Sequence, residues 1–287
     1  MRLFDRVAIV GVGLIGGSVG LAVKEKKIAK KVIGIGHRRE SIRQALRQGA
    51  IDEGYLDLSK VKGAGLVILA APVLQIMSIL PRLSRYVTRD TLVMDVGSTK
   101  SEIIKTAQKS GLEFVGCHPL AGMEKKGPQN ARSDLFKCSL CLIVPSRKIR
   151  SGSLRRAIQF WKAIGARAEV LDSSSHDRIL AFVSHLPHAA AFGMLDCIKP
   201  DYLRYAASGL KDTTRIGLSD PLLWRDIFLT NQKELLRAIA GFRGSLIRLE
   251  SLIKNNRPEA LVSFLKKARN KSRTFMFRAI SGKKGAG

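Results

Sequence analysis

Two kinds of apolar pattern alternate through the first 171 residues. Short runs at 6–10, 31–36, 66–70, 92–96, 113–117, 140–144 and 167–171 are apolar at most positions. Runs of that length read as strands buried on both faces. Between them, 14–24, 39–48, 74–85, 102–110 and 154–164 carry apolar residues at helical spacing. The alternation predicts an α/β domain, a mostly parallel sheet covered by helices. After Asp172 the strand-like runs stop, and 176–197, 222–230, 232–254 and 258–280 read as helices. Ser173, Ser174 and Ser175 precede the first as candidate caps, and Pro258 suits the first turn of the last. The expected division is therefore 1–171 and an all-helical 172–287. A chain of 287 residues accommodates two domains of about 100–200 residues each.

The first strand runs into Gly11-Val-Gly13-Leu14-Ile15-Gly16 and then a helix. In this GxGxxG arrangement the first glycine allows the tight turn, the second a close approach to a pyrophosphate, and the third close helix–strand packing. The N–H groups at the helix start, around Leu14 and Ile15, then face the phosphates. Strand, glycines and helix together predict a Rossmann-type dinucleotide-binding domain. An NAD site usually ends its second strand with Asp or Glu for the ribose 2′-hydroxyl. Here that position is Gly36, followed by His37, Arg38 and Arg39. Two guanidinium groups suit a ribose 2′-phosphate by charge and fork geometry. NADP is thus expected ahead of NAD, the alternative being two more surface arginines in a basic protein.

Composition narrows the partners. Hydrophobic residues at 45% and charged residues at 25% exclude a disordered or fibrous chain, and four cysteines exclude a disulfide-stapled scaffold. The net charge of +27 admits either a polyanion partner or small acidic ligands in a positive field. The basic residues are spread over both expected domains, no nucleic-acid module is recognisable, and two tryptophans with four tyrosines offer little base stacking. No specific nucleic-acid partner is expected. The uncharged stretch 7–23 is short for a membrane span, contains five glycines and follows Asp5. The expectation is a cytoplasmic protein with no membrane partner.

Candidate chemistry collects at predicted strand ends. His118 opens His-Pro-Leu-Ala-Gly-Met-Glu124 directly after the strand 113–117. Ligands of open parallel sheets bind beyond the carboxyl ends of strands, and an imidazole there is suited to proton exchange near neutral pH. Asp95-Val-Gly-Ser98-Thr-Lys100 brings a hydroxyl and an ammonium to the same edge.

Five segments resemble the prephenate/arogenate (cyclohexadienyl) dehydrogenase family of tyrosine biosynthesis: GVGLIGGS (11–18), DVGSTK (95–100), HPLAGMEKKGPQNA (118–131), SHDRILAFVSHLPHAAAF (175–192) and GLKDTTRIGLSDPLLWRDIF (209–228). The resemblance implies NAD(P)-dependent oxidative decarboxylation of prephenate to 4-hydroxyphenylpyruvate and CO2, of arogenate to tyrosine, or of both. It implies that His118 accepts the proton of the substrate C4 hydroxyl. Ser98 would bond that hydroxyl beside the nicotinamide, Arg215 would bind a substrate carboxylate, and His188 would sit near the substrate side chain. Glu124, Asp177, Lys211, Asp212 and Trp224 would line or gate the pocket. A homodimer through the helical domain is implied too.

Other readings stand beside these. His185 and His188, at i and i+3, lack a third ligand nearby, so no metal is expected and His185 is read as a structural histidine with its hydrogen bonds satisfied. His176 is read as a helix-capping residue. Cys138 and Cys141 are read as a packed pair, Cys117 as pointing away from His118, and Trp161 as core.

Overall fold

The computed structural model describes residues 2–122, 127–147 and 149–284, with side chains through 274. Eight strands, β1 (Phe4–Val10), β2 (Ala29–Ile35), β3 (Glu53–Tyr55), β4 (Leu66–Leu69), β5 (Leu92–Asp95), β6 (Phe114–Pro119), β7 (Leu140–Pro145) and β8 (Arg167–Val170), form one sheet in the order β3-β2-β1-β4-β5-β6-β7-β8. Every pairing is parallel except β6 with β7. Helices α1 (Leu14–Glu25), α2 (Arg39–Arg47), α3 (Val73–Leu83), α4 (Ser101–Lys109) and α5 (Ser151–Ala163) cover it.

The strands are apolar throughout because each packs on both faces. Val7 and Ile9 of β1 join Val19, Ile42 and Trp161 in one apolar layer. Ala8 and Val10 join Ile76, Leu80 and Ile103 in the other. Residues alternate across a strand, so each run feeds two cores at once. Trp161 is fully buried, as expected of a core residue. Two features depart from the expected sheet. The three residues of β3 carry no apolar run, and β7 returns antiparallel to β6.

Strand order reverses between β1 and β4, so the ligand crevice of such a sheet lies at the carboxyl ends around this point. The turns after β1, β4, β5 and the end of β6 all open there.

From Ser173 to Cys197 the chain is one helical rod: α6 (Ser173–Leu180), a π-helical turn (Ala181–His185) and α7 (Leu186–Cys197). Its cap is Asp172, whose carboxylate accepts from the Ser175 N–H at 2.9 Å, and not one of the three serines. Then follow α8 (Ser208–Thr214), a 3-10 turn (Arg215–Leu218) and α9 (Pro221–Thr230), which Asp220 caps. Helices α10 (Gln232–Lys254) and α11 (Pro258–Lys284) complete the chain. By compactness the chain divides into Met1–Gln232 and Lys233–Gly287.

Candidate active site

The glycines hold the dinucleotide turn for three different reasons. Gly11 has φ +100°, and a Cβ there would lie 2.2 Å from the Ala70 carbonyl oxygen. A Cβ on Gly16 would lie 2.0 Å from the Gly11 oxygen, so only hydrogen lets α1 start this close to β1. At Gly13, the residue before α1, nothing lies within 4 Å of an added Cβ. Its bare backbone faces open space, as close approach of a phosphate requires. No side chain caps α1, so the N–H groups at Leu14 and Ile15 remain available to an anion. These residues fit a dinucleotide.

At the end of β2, a Cβ on Gly36 would meet Ile42 Cγ1 at 3.1 Å, leaving little room for a carboxylate side chain. Arg38 and Arg39 are exposed at the start of α2. The nearest carboxylate in sequence, Glu40, turns to Arg43 and Gln44.

His118 sits on β6 and is partly open to solvent. Its Nδ1 lies 3.0 Å from Nε2 of His176, and Nδ1 of His176 lies 2.8 Å from Asp177 Oδ1. His176 and Asp177 are buried. The Asp177 carboxylate is pinned in turn by the backbone N–H groups of Lys100 and Ser101, each at 2.8 Å. Burial works against its charge, but hydrogen bonds from His176 and Ser101 hold its carboxyl below the usual range.

These contacts fix the proton positions. An ionised Asp177 only accepts, so His176 carries its proton on Nδ1 and offers a lone pair at Nε2. His118 then donates from Nδ1, and its lone pair is on Nε2. Burial, followed by the neighbouring His176, Lys100 and His185, holds His118 well below the ordinary histidine value. The result is a neutral imidazole with its basic lone pair on Nε2.

Beneath it, Lys100 is fully buried. Its Nζ lies 2.5 Å from Asp95 Oδ2 and donates to the carbonyls of Gly97 and Thr99. The other Asp95 oxygen accepts from the Cys117 N–H at 3.2 Å. This buried pair ties the turn after β5, which carries half-buried Ser98, to β6.

The π-helical turn makes one site of the rod's histidines. At about 100° per residue, His176 and His188 would lie about 120° apart on a continuous α-helix. A π turn takes up about one extra residue, which reduces that angle to about 20°. His188 stacks on buried Trp224, with centroids 3.5 Å apart and planes at 22°, and its Nδ1 donates to the Ser184 carbonyl at 2.9 Å. His185 is buried edge-on to the same Trp224. Asn231 Nδ2 bridges it to the rod, donating to the Asp177 carbonyl at 2.8 Å and to His185 Nδ1 at 3.1 Å. Burial pushes His185 down to about 4. Its Nε2, which must carry the proton, has no partner among the described residues.

Arg215 opens the 3-10 turn that packs on α7, and Lys211 and Asp212 are exposed on α8. Glu124 lies outside the described residues. Three expectations need correction. His176 is a partner of the candidate base and not a cap. His185 is buried and bonded through Nδ1, but its Nε2 has no partner among the described residues. Cys138 is exposed, and Cys141 instead neighbours buried Cys117; its own burial, followed by that contact, pushes the Cys141 thiol up. The sequence signal for the partnership was the His176-Asp177 pair itself; Asn231 gave none. No cluster of three metal-ligating side chains occurs among the described residues.

Two family models match in tandem: the nucleotide-binding domain of prephenate dehydrogenase over 19–170 and its dimerization domain over 172–267. The chain belongs to the prephenate dehydrogenase family. The glycine turn precedes the first matched segment. Prephenate dehydrogenase of Bacillus subtilis is 31% identical over 280 residues, 94% of this chain and 76% of that protein. Cyclohexadienyl dehydrogenase of Zymomonas mobilis is 29% identical, over 93% of this chain and 95% of that protein. The crystal structure of the Aquifex aeolicus prephenate dehydrogenase, in complex with hydroxyphenyl propionate and NAD+, superposes with a TM-score of 0.90. The two are 34% identical over 96% of this chain and 98% of that one.

Proposed function

We propose that this member of the family carries out NADP-preferring oxidative decarboxylation of prephenate, and of arogenate as a second substrate. The observation that carries the mechanism is the proton order fixed by Asp177, which leaves the lone pair of His118 on Nε2 at a strand end. A dinucleotide held at the turn of Gly11, Gly13 and Gly16 would supply the hydride acceptor for substrate C4. His118 takes the C4 hydroxyl proton as that hydride leaves, and Ser98 orients the hydroxyl from the turn after β5. The ring carbonyl so formed is conjugated to the carbon bearing a carboxylate. Cleavage of that C–C bond sends its electron pair into the ring, releases CO2 and aromatises the product. Arg215 holds the side-chain carboxylate and fixes C4 in place. His188 and Trp224 form the wall at the side-chain end, with Lys211, Asp212 and Glu124 about the mouth.

Exposed Arg38 and Arg39 together with the crowded Gly36 support NADP over NAD. The NAD+ in the Aquifex structure belongs to that protein, and its preference does not transfer. Residues 1–171 serve as the cofactor domain and 172–287 as the substrate and dimerisation domain. On α10, Leu236, Ile239, Phe242, Leu246 and Ile253 are all exposed, Ile253 by 61%, and recur at helical spacing. An apolar stripe of this length calls for a partner. A second copy is that partner, in a cytoplasmic homodimer.

The experiment is nicotinamide reduction in a grid of prephenate or arogenate against NAD or NADP, with His118→Asn alongside. Turnover should fall by about 10²–10⁴-fold in the variant. In Arg38→Ala/Arg39→Ala, KM for NADP should rise about tenfold or more while KM for NAD stays within about twofold. Equal rises for both would remove the 2′-phosphate argument. No turnover in any pairing by a folded enzyme would remove the function.

A further inference from the structure

We propose that the proton acceptor of this enzyme is a pair of histidines, and that the charge taken from the substrate comes to rest on His176 beside Asp177. The inference rests on the reading of His118 as the base. Four observations carry it. His118 and His176 share one hydrogen bond of 3.0 Å between Nδ1 and Nε2. His176 is fully buried and donates to Asp177 at 2.8 Å. The Asp177 carboxylate is immobilised by two backbone N–H groups of the loop that carries Ser98. The charge that opposes a cation on His118, the Lys100 ammonium, is buried under the same loop.

The balance follows. The substrate hydroxyl proton bonds to His118 Nε2. The proton on His118 Nδ1 crosses to His176 Nε2. His118 remains neutral with its proton on Nε2, and His176 becomes an imidazolium against an ionised carboxylate. The hydride leaves C4 with its electron pair. When the C–C bond to CO2 breaks, the ring oxygen becomes a phenolate and recovers a proton from His118 Nε2, while His176 returns its own to Nδ1. No proton is gained or lost overall, so the pair has only to hold one between two steps. A weakly basic site does this well, because it gives the proton back readily to a phenolate.

Among the described residues, four charged or titratable groups act on the pair. Lys100 and His185 disfavour a cation on His118, and Asp177 and Asp95 favour one on His176, against Lys100. Crossing from the first ring to the second moves the positive charge toward the carboxylate that is in direct contact.

His176→Gln separates a relay from a scaffold. The glutamine oxygen can still accept from His118 Nδ1 and hold the ring, but it cannot take the proton. A relay predicts that kcat falls about tenfold or more with KM within about twofold. It also predicts that the acidic limb of the kcat/KM profile moves to lower pH, because the protonated form loses its second ring. A kcat within about twofold of wild type and an unmoved limb would overturn the relay. Nitrogen-15 NMR of the histidine rings in the unmodified enzyme needs no variant. It should show both His118 and His176 protonated at Nδ1 and bare at Nε2, and the opposite tautomer at His118 would overturn the proposal. Turnover lost in His118→Asn but unchanged in His176→Gln would leave the base and remove only the relay. No turnover by the unmodified enzyme would remove both.

Discussion

Single hydrogen atoms do different work at Gly13 and Gly16, three residues apart in the turn into α1. Gly16 leaves no space, since its Cβ would sit 2.0 Å from a backbone oxygen. Gly13 leaves space only for something that is not protein. Gly16→Ala must therefore push α1 off the sheet, at the roughly 1–3 kcal/mol typical of overpacking. Gly13→Ala has φ −82°, which any L residue adopts, and its cost should stay within about 0.5 kcal/mol. Both should weaken dinucleotide binding, the first through a displaced turn and the second through a methyl in the path of the pyrophosphate. Thermal unfolding and fluorescence titration of NADPH on the two variants separate these causes. Equal losses of stability would mean that Gly13 is a structural glycine as well.

At the scale of the element, the π-helical turn is what makes one site of several histidines. Deleting Val183, which is 66% exposed, should close Ala181–His185 into an α-helix and rotate α7 by about 100°. His188 would leave Trp224, and His185 would leave Asn231. Activity should fall by more than about 10²-fold, while NADPH binding at the glycine turn persists. Retained activity would show that the extra residue is incidental. This turn was also the part least legible beforehand. The runs that became β1, β4 and β5 were readable because each residue is buried on one face or the other, and only apolar side chains tolerate that. The three residues of β3, Glu-Gly-Tyr, were not readable, because all are half-buried and they form no apolar run. A π turn adds a residue without changing composition, so 176–197 read as one plain helix. The glycine turn and His118 could be read locally, from motif and strand end. The partnership of His118 with His176 could not, because it joins β6 to α6 across 58 residues of chain.

The whole molecule carries an unusual acid liability. The pKa values of His118, His176 and His188 are all lowered by burial in the folded state, and that of His185 is pushed to about 4. Each returns to about 6.5 on unfolding. Between these values the unfolded chain binds more protons than the folded one, so stability rises with pH. The contribution is complete above about pH 6.5 and is lost as pH falls toward the folded values. His185 alone accounts for about 3 kcal/mol over its window, and the other three act in the same direction. The native carboxylates with lowered values, such as Asp177, add their own loss only below about pH 4. Urea unfolding at pH 7, 6 and 5 should therefore show the midpoint falling early, well before ordinary acid denaturation. The net charge of +27 supplies a competing cause, since each added proton raises the self-repulsion of the compact state. Salt distinguishes the two. At about 1 M the screening length is near 3 Å, which removes repulsion between surface charges but leaves buried groups largely unscreened. If buried histidines dominate, the slope of stability against pH persists in high salt. If it flattens, the lability belongs to the basic surface and not to the active site.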